Sequence, residues 1–168
     1  ELLDEVGVDA TRFTLLSRSN DSPIDFDIEL VKRQTMDNPV YYVQYGHARI
    51  ASILRHATER GVASRPIEDV DLSLLSTEAE VELLKAIAEV PARVTEASEM
   101  RAPHRLTYFS QELASRFHRF YTECRVVTED QDLTQARLWL CTGAKLSIAN
   151  VLGLLGVSAP EAMERVDA

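Results

Sequence analysis

Apolar residues recur every three to four positions through most of the chain, the repeat of a helix with one buried face. Leu106, Phe109, Leu113, Phe117, Phe120 and Cys124 keep this spacing in one stretch, and Leu133, Ala136, Leu140, Ala144, Ile148, Val151 and Leu155 keep it in another. A third stretch, opening at Asn38, sets Val43, Gly46, Ile50, Ile53, Leu54 and Ala57 on one side at about 100° per residue. No long segment shows the two-residue alternation of a strand. The chain is predicted to be all-α.

Helix signals punctuate this pattern. Asp9 is a plausible cap for a first helix reaching about Arg18, and Ser19 to Pro23 is turn chemistry. A short second helix is expected from Phe26 to Gln34, with Asp25 and Asp27 ahead of Lys32 and Arg33 as the helix dipole prefers. Asn38, then Pro39 at the first helical position, and Gly61 bound the third helix. Residues 62 to 76, with Pro66, read as an unconstrained linker loop. Thr77-Glu78-Ala79-Glu80 is a capping box for a fourth helix, which Pro91 is expected to break near Val90 into two pieces. Pro103 opens a fifth helix, and the sixth runs from Asp132 to about Leu155, with Gly156 as its stop.

Composition narrows the function. The 168 residues can bury a core unaided, and two cysteines inside helical stretches point to a reduced, cytoplasmic protein. No apolar run is long enough for a membrane span, Glu1 to Glu5 do not resemble a signal peptide, and the chain reads as a segment of something longer. A net charge of −9 argues against non-specific nucleic-acid binding, which needs many Lys and Arg contacts to phosphate. It leaves room for a local basic and aromatic patch on unpaired bases.

Enzyme chemistry finds no foothold. The chain has no Gly-rich phosphate loop, no His-Glu-x-x-His, no Cys-x-x-Cys and no Gly-x-Ser-x-Gly. His104 and His118 are fourteen residues apart, about four helical turns, too far to share a metal. Acidic runs such as Glu78, Glu80 and Glu82 read as solvated helix faces.

The informative stretch is the start of the third helix. Tyr42, Tyr45, Arg49, Ser52 and His56 share a face about a third of a turn from the buried stripe. Planar aromatics beside a guanidinium suit splayed bases, although tyrosines flanking a core also serve as rim packing. Gly46 marks close approach of another helix.

Here the sequence resembles a family. Asp37-Asn38-Pro39-Val40-Tyr41-Tyr42-Val43-Gln44-Tyr45-Gly46-His47-Ala48-Arg49-Ile50, followed by Ser52-Ile53-Leu54-Arg55, is similar to the signature just inside the C-terminal domain of arginyl-tRNA synthetases. Two further matches follow in order. Pro103-His104-Arg105-Leu106 leads through Phe117-His118-Arg119-Phe120-Tyr121 to Cys124-Arg125-Val126, and Ala136-Arg137-Leu138 leads to Leu154-Leu155-Gly156-Val157-Ser158-Ala159-Pro160-Glu161. Ala162 stands where the family has Arg before Met163, and the string Asp-Ala-Leu-Arg does not occur.

The resemblance implies a helical bundle of the class I synthetase anticodon-binding type, which meets the anticodon arm of tRNA for arginine. It implies residues 1–20 as the tail of a catalytic domain or a connecting helix, and 21–168 as the anticodon-binding domain. Asn38, Tyr42, Tyr45 and Met163 then look like anticodon-loop contacts, with the turn from Gln34 to Asn38 shaping the loop that meets them. Tyr121 and Arg125 are further candidates, and His47 and Arg49 divide between packing and RNA contact. No cofactor is expected in this segment. ATP and Mg would belong to the catalytic domain of the parent chain, whose nucleotide signatures are missing here. Neither DNA nor a membrane is an expected partner. The rival reading is an acidic helical protein-interaction module.

Overall fold

The computed structural model describes residues 2–19, 22–23 and 26–163. Among these residues seven α-helices follow in order: α1 (Leu2–Val6), α2 (Val8–Leu16), α3 (Ile28–Lys32), α4 (Pro39–Glu59), α5 (Glu78–Glu99), α6 (His104–Glu123) and α7 (Gln131–Leu154). Among the described residues there is no strand. The tail 164–168 and the boundary placed at residues 20 and 21 lie outside the described residues.

α4 to α7 form the bundle. Val43 and Ile50 of α4, Leu83 of α5, Leu113 and Phe117 of α6, and Ile148 and Leu152 of α7 are wholly enclosed. Each such side chain contributes about 1.5–3 kcal/mol through removal from water. Close approach of α4 and α6 depends on Gly46, where a Cβ would stand 3.4 Å from that of Ala114. α7 is the central helix, and buried residues from Thr134 to Leu152 face all its neighbours. That explains the dispersal of apolar positions around its circumference.

The termini of the long helices follow local chemistry. Asp130 accepts hydrogen bonds from the amides of Asp132 (3.0 Å) and Leu133 (3.1 Å) at the start of α7. The capping box at α5 forms in both directions between Thr77 and Glu80. α4 ends in a Schellman turn, with the Val62 amide 3.0 Å from the Ala57 carbonyl across Gly61 at φ +78°.

Four expectations are corrected. The first expected helix is α2, which starts one residue before Asp9 and follows a further short helix, α1, across Gly7 at φ +87°, and the Asp9 carboxylate caps nothing, accepting instead from Gln44 (2.9 Å) and Ser158. The second helix is shorter than Phe26 to Gln34, because Asp27 caps it at the Leu30 amide and Arg33 is already extended. Pro91 does not divide the fourth helix. α5 is continuous through it, since Leu83, Ala86 and Ala97 anchor both halves on the core while the exposed ring faces solvent. This packing outweighs the roughly 3 kcal/mol that an interior proline costs.

Residues 62 to 76, lastly, are not an unconstrained loop. They contain two 3₁₀ turns, Ile67–Asp69 and Leu72–Leu74, and are tied to α7. Gln135 accepts from the Arg65 amide (2.8 Å) and donates to the Ala63 carbonyl (2.9 Å), and the Trp139 indole donates to the Arg65 carbonyl (2.9 Å). At the other end of the bundle, α1 to α3 gather beside the start of α4. Phe13 of α2 is buried in the common core, whereas Leu15, two residues on, is exposed.

Candidate nucleic-acid interface

Three features run along α4, and the elements around it place each of them. The first is the turn before the helix. Asn38 is 4% exposed, and its side-chain amide donates to the carbonyls of Val31 and Arg33, each at 2.8 Å. Its amide is spent on joining α3 to α4, so it shapes the turn from inside. Beside it opens a cavity of about 690 Å³ lined by Arg33, Gln34, Tyr41, Gln44 and Met163 among others.

Met163 reaches this cavity because the C-terminal segment is strapped along α4. The Gln44 side-chain amide donates to the Ser158 carbonyl (3.0 Å), and buried His47 shares a hydrogen bond of 2.9 Å with the Pro160 carbonyl. Lys145 of α7 holds Glu161 at 2.7 Å and keeps its carboxyl below the usual range. Met163 therefore joins Asn38 and Tyr41. Tyr42 and Tyr45, grouped with it as expected anticodon-loop contacts, are not in the lining of this cavity.

The second feature is an aromatic row. Tyr41 and Tyr45 stack at 6.1 Å between ring centres, and His118 of α6 lies 6.1 Å from Tyr45 and 4.9 Å from Tyr42. Tyr42 and Tyr45 are consequently half-buried. Arg49 donates to the Tyr45 hydroxyl at 3.0 Å and lays its guanidinium 4.6 Å over the ring of Tyr121. That stacking links the middle of α4 to the end of α6. Tyr121 is exposed.

His118 is the residue that helix-face reasoning on α4 missed. Its spacing on α6, one residue after Phe117, carries no signal of what lies opposite. Burial, and next the nearby Arg49 guanidinium, hold its imidazole below the usual histidine range, against a weaker opposing contact with the Tyr42 backbone. Its Nε2 is buried without a hydrogen-bond partner. The neutral ring therefore acts as an aromatic support.

The third feature is a groove of about 590 Å³ between the C-terminal ends of α4 and α6, lined by Ile53, His56, Arg60, Tyr121 and Arg125 among others. Arg125 stands on a segment fixed from below. Its carbonyl accepts from Arg137 at 2.7 Å, and Arg137 also donates to Glu80 at 2.7 Å in a buried ion pair. Burial would raise the Glu80 carboxyl, yet the Thr77 amide, Arg137 and the Thr77 hydroxyl together hold it below the usual range.

The structure thus brings Tyr42, Tyr45, Arg49, Tyr121 and Arg125 onto one connected surface and places Asn38 and Met163 at the cavity beyond Tyr41. Among the described residues no group of three His, Cys, Asp or Glu could hold a metal ion, and no helix is long and apolar enough to cross a membrane. Cys124 and Cys141 are free and buried, and burial pushes the Cys141 thiol up to about 12, which leaves it unreactive.

A helical bundle with stacked tyrosines, an arginine on an open ring and a cavity at one helix start has the elements of a domain that receives unpaired bases. The chain belongs to the DALR anticodon binding domain family, which matches residues 43–163. Over 97% of its length it is 50% identical to the arginine–tRNA ligase of Moorella thermoacetica and 47% identical to that of Carboxydothermus hydrogenoformans. The chain spans about 29% of the length of those two ligases. It superposes on the arginyl-tRNA synthetase of Thermus thermophilus with a TM-score of 0.78 at 32% identity, covering 95% of this chain and 27% of that one. The resemblance read from the three motifs, and the helical bundle it implied, are both borne out.

Proposed function

We propose that this chain recognises the anticodon arm of an arginine tRNA, as the anticodon-binding part of an arginine–tRNA ligase. The observation that carries the reading is the row of Tyr45, Arg49 and Tyr121, which offers planar groups on the adjoining faces of α4 and α6, with buried Tyr41 stacked beside Tyr45 and lining the cavity at Asn38 and Met163. Stacking is sequence-tolerant, whereas a cavity edged by the side chains of Arg33 and Gln34 supplies hydrogen bonds that distinguish one base from another. Asn38, Tyr42, Tyr45, Arg49, Tyr121, Arg125 and Met163 are the proposed contacts, Asn38 and Tyr42 acting chiefly by shaping what the RNA meets.

In the parent enzyme, residues 1–20 serve as the connection to the catalytic domain and 21–168 as the anticodon-binding unit. ATP and magnesium act in that catalytic domain, in the cytoplasm. None of the chain's own residues fits them, since neither the His-x-Gly-His nor the Lys-Met-Ser-Lys signature of class I synthetases occurs in it. The chain alone therefore performs no arginine-dependent pyrophosphate exchange.

The test is a titration of the 168-residue chain with a fluorescent anticodon stem-loop of arginine tRNA, against the same hairpin with a changed middle anticodon base. Tighter binding of the arginine loop is expected. Equal affinity for both would defeat the reading.

A further inference from the structure

In a chain of net charge −9, two guanidiniums without acidic partners in one groove are informative, because carboxylates outnumber cations. Arg65, Arg93, Arg105, Arg116, Arg119 and Arg137 each hold a carboxylate. Arg49, Arg60 and Arg125 form no ion pair with any described residue, as is also true of Arg12, Arg33 and Arg101, but Arg60 and Arg125 line one groove, between the ends of α4 and α6, with Arg49 over Tyr121 at its edge. The acids nearby are already engaged. Glu123, which lines the groove, is held by Arg119 at 2.8 Å, and Glu59, one residue before Arg60, is held by His56 at 2.9 Å.

The groove is also held from beneath. Arg137, buried against Glu80, donates to the Arg125 carbonyl, while Cys124 lies 3.4 Å from the Thr77 hydroxyl of the α5 capping box. Charge pairs of this kind add little net stability over apolar residues of the same volume. Here the pair fixes the backbone on which an exposed arginine is displayed.

Building on the anticodon reading above, we infer that this groove is the track for the RNA's phosphates, with Arg60 and Arg125 as its contacts. Both guanidiniums are exposed and without acidic partners, so they meet a phosphate without first breaking a protein ion pair. Tyr121 lies between them and Arg49, so a strand whose bases stack along the aromatic row would carry its backbone past this edge. Acidic charge over the rest of the molecule discourages other polyanion contacts.

The experiment is the salt dependence of stem-loop binding, measured by fluorescence anisotropy with the full chain and with Arg60→Gln, Arg125→Gln and the double variant. Each phosphate contact contributes a slope of about 0.7 to 0.9 in the logarithm of affinity against the logarithm of salt. Each single variant is expected to lower the slope by about 1 and the double by about 2, with unchanged melting temperatures. Arg60→Lys and Arg125→Lys should retain the wild-type slope, since the charge is kept.

Wild-type slope and affinity in both glutamine variants, alongside weakened binding by Tyr45→Ala, would overturn the phosphate track and leave the anticodon reading intact. No stem-loop binding by the wild-type chain at low salt would defeat that reading and the track with it. A polyglutamate peptide that displaces the hairpin at equal charge concentration would also overturn the assignment, showing an anion groove indifferent to nucleic acid.

Discussion

The outer face of α5 and α6 and the face along α4 are built from the same residue types put to opposite use. On the first, arginines and glutamates saturate one another: Arg93 with Glu89 (3.0 Å), Arg105 with Glu96 (2.7 Å), Arg116 with Glu112 (2.6 Å) and Arg119 with Glu78 (2.7 Å). On the second, Arg49 stacks on tyrosines, and Arg60 and Arg125 have no acid partner among the described residues. Net charge therefore says little about where this molecule can meet RNA. The usable charge is what remains after local pairing, and two such arginines, Arg60 and Arg125, share one groove beside the aromatic row.

The contrast rests first on the Glu80–Arg137 pair, which supports the groove from the α5 and α7 side. Arg137→Met leaves Glu80 buried and unpaired, and is expected to cost about 3–5 kcal/mol in urea unfolding. Adding Glu80→Gln removes the stranded charge while keeping a capping-box side chain, so the double variant should recover much of the loss. If the single variant is as stable as the wild type, the two faces are not joined as described.

Next in size is the aromatic row. Tyr45→Ala should weaken stem-loop binding by about 1–3 kcal/mol, the worth of one stacked base, with little loss of fold stability. Because Tyr45 is half-buried beside His118, a modest fall in melting temperature is compatible with this. A variant that unfolds readily yet binds at full strength when folded would reduce the row to packing.

A smaller effect comes from pH. The folded state holds His118 below its ordinary value of 6.5, so the fold binds fewer protons there than the unfolded chain. The stabilising contribution of the neutral ring is complete above pH 6.5 and declines as pH falls towards the folded value. Melting midpoints should drop on acidification from about pH 7.5 to 5.5 more steeply in the wild type than in His118→Gln. Parallel profiles would remove His118 from its place under the tyrosines. Glu80 has the same sign at lower pH, its contribution present above 4.5 and lost as the pH falls through its folded value.

The smallest change is expected on the saturated face. Arg93→Gln should leave both the melting midpoint and the stem-loop affinity within experimental scatter, because exposed ion pairs contribute little. A marked loss of RNA binding in this variant would show that the α5 and α6 face also meets the RNA, and the contrast would dissolve.

Much of this could be read from the residues, and the failures share a cause. The capping box at Thr77, the bounds of α4 and the buried stripe of Val43, Gly46, Ile50 and Ala57 were legible because each is set by neighbours within a turn or two. The break expected at Pro91 failed because contacts with α6 and α7 outweigh a local penalty. Asp9 was misread as a cap because its partners, Gln44 and Ser158, are far away in sequence.

Among the site residues the same division holds. Tyr42, Tyr45 and Arg49 stood out as a face of one helix, and Tyr121 and Arg125 through the family resemblance. His118 beneath the tyrosines and Arg60 beside Arg125 did not stand out, since neither carries a periodic or motif signal of what it faces.

By itself the sequence determined the all-helical class, the ends of α4, α6 and α7 to within a residue or two, and the family, because periodicity, capping and contiguous motifs are encoded within short spans of chain. Tertiary structure alone decided that Asn38 turns inward, that Met163 joins Tyr41 and not Tyr45, and which arginines stay unpaired. Those outcomes depend on groups brought together from distant parts of the chain, where packing and the competition for carboxylates, and not local propensity, select the partner.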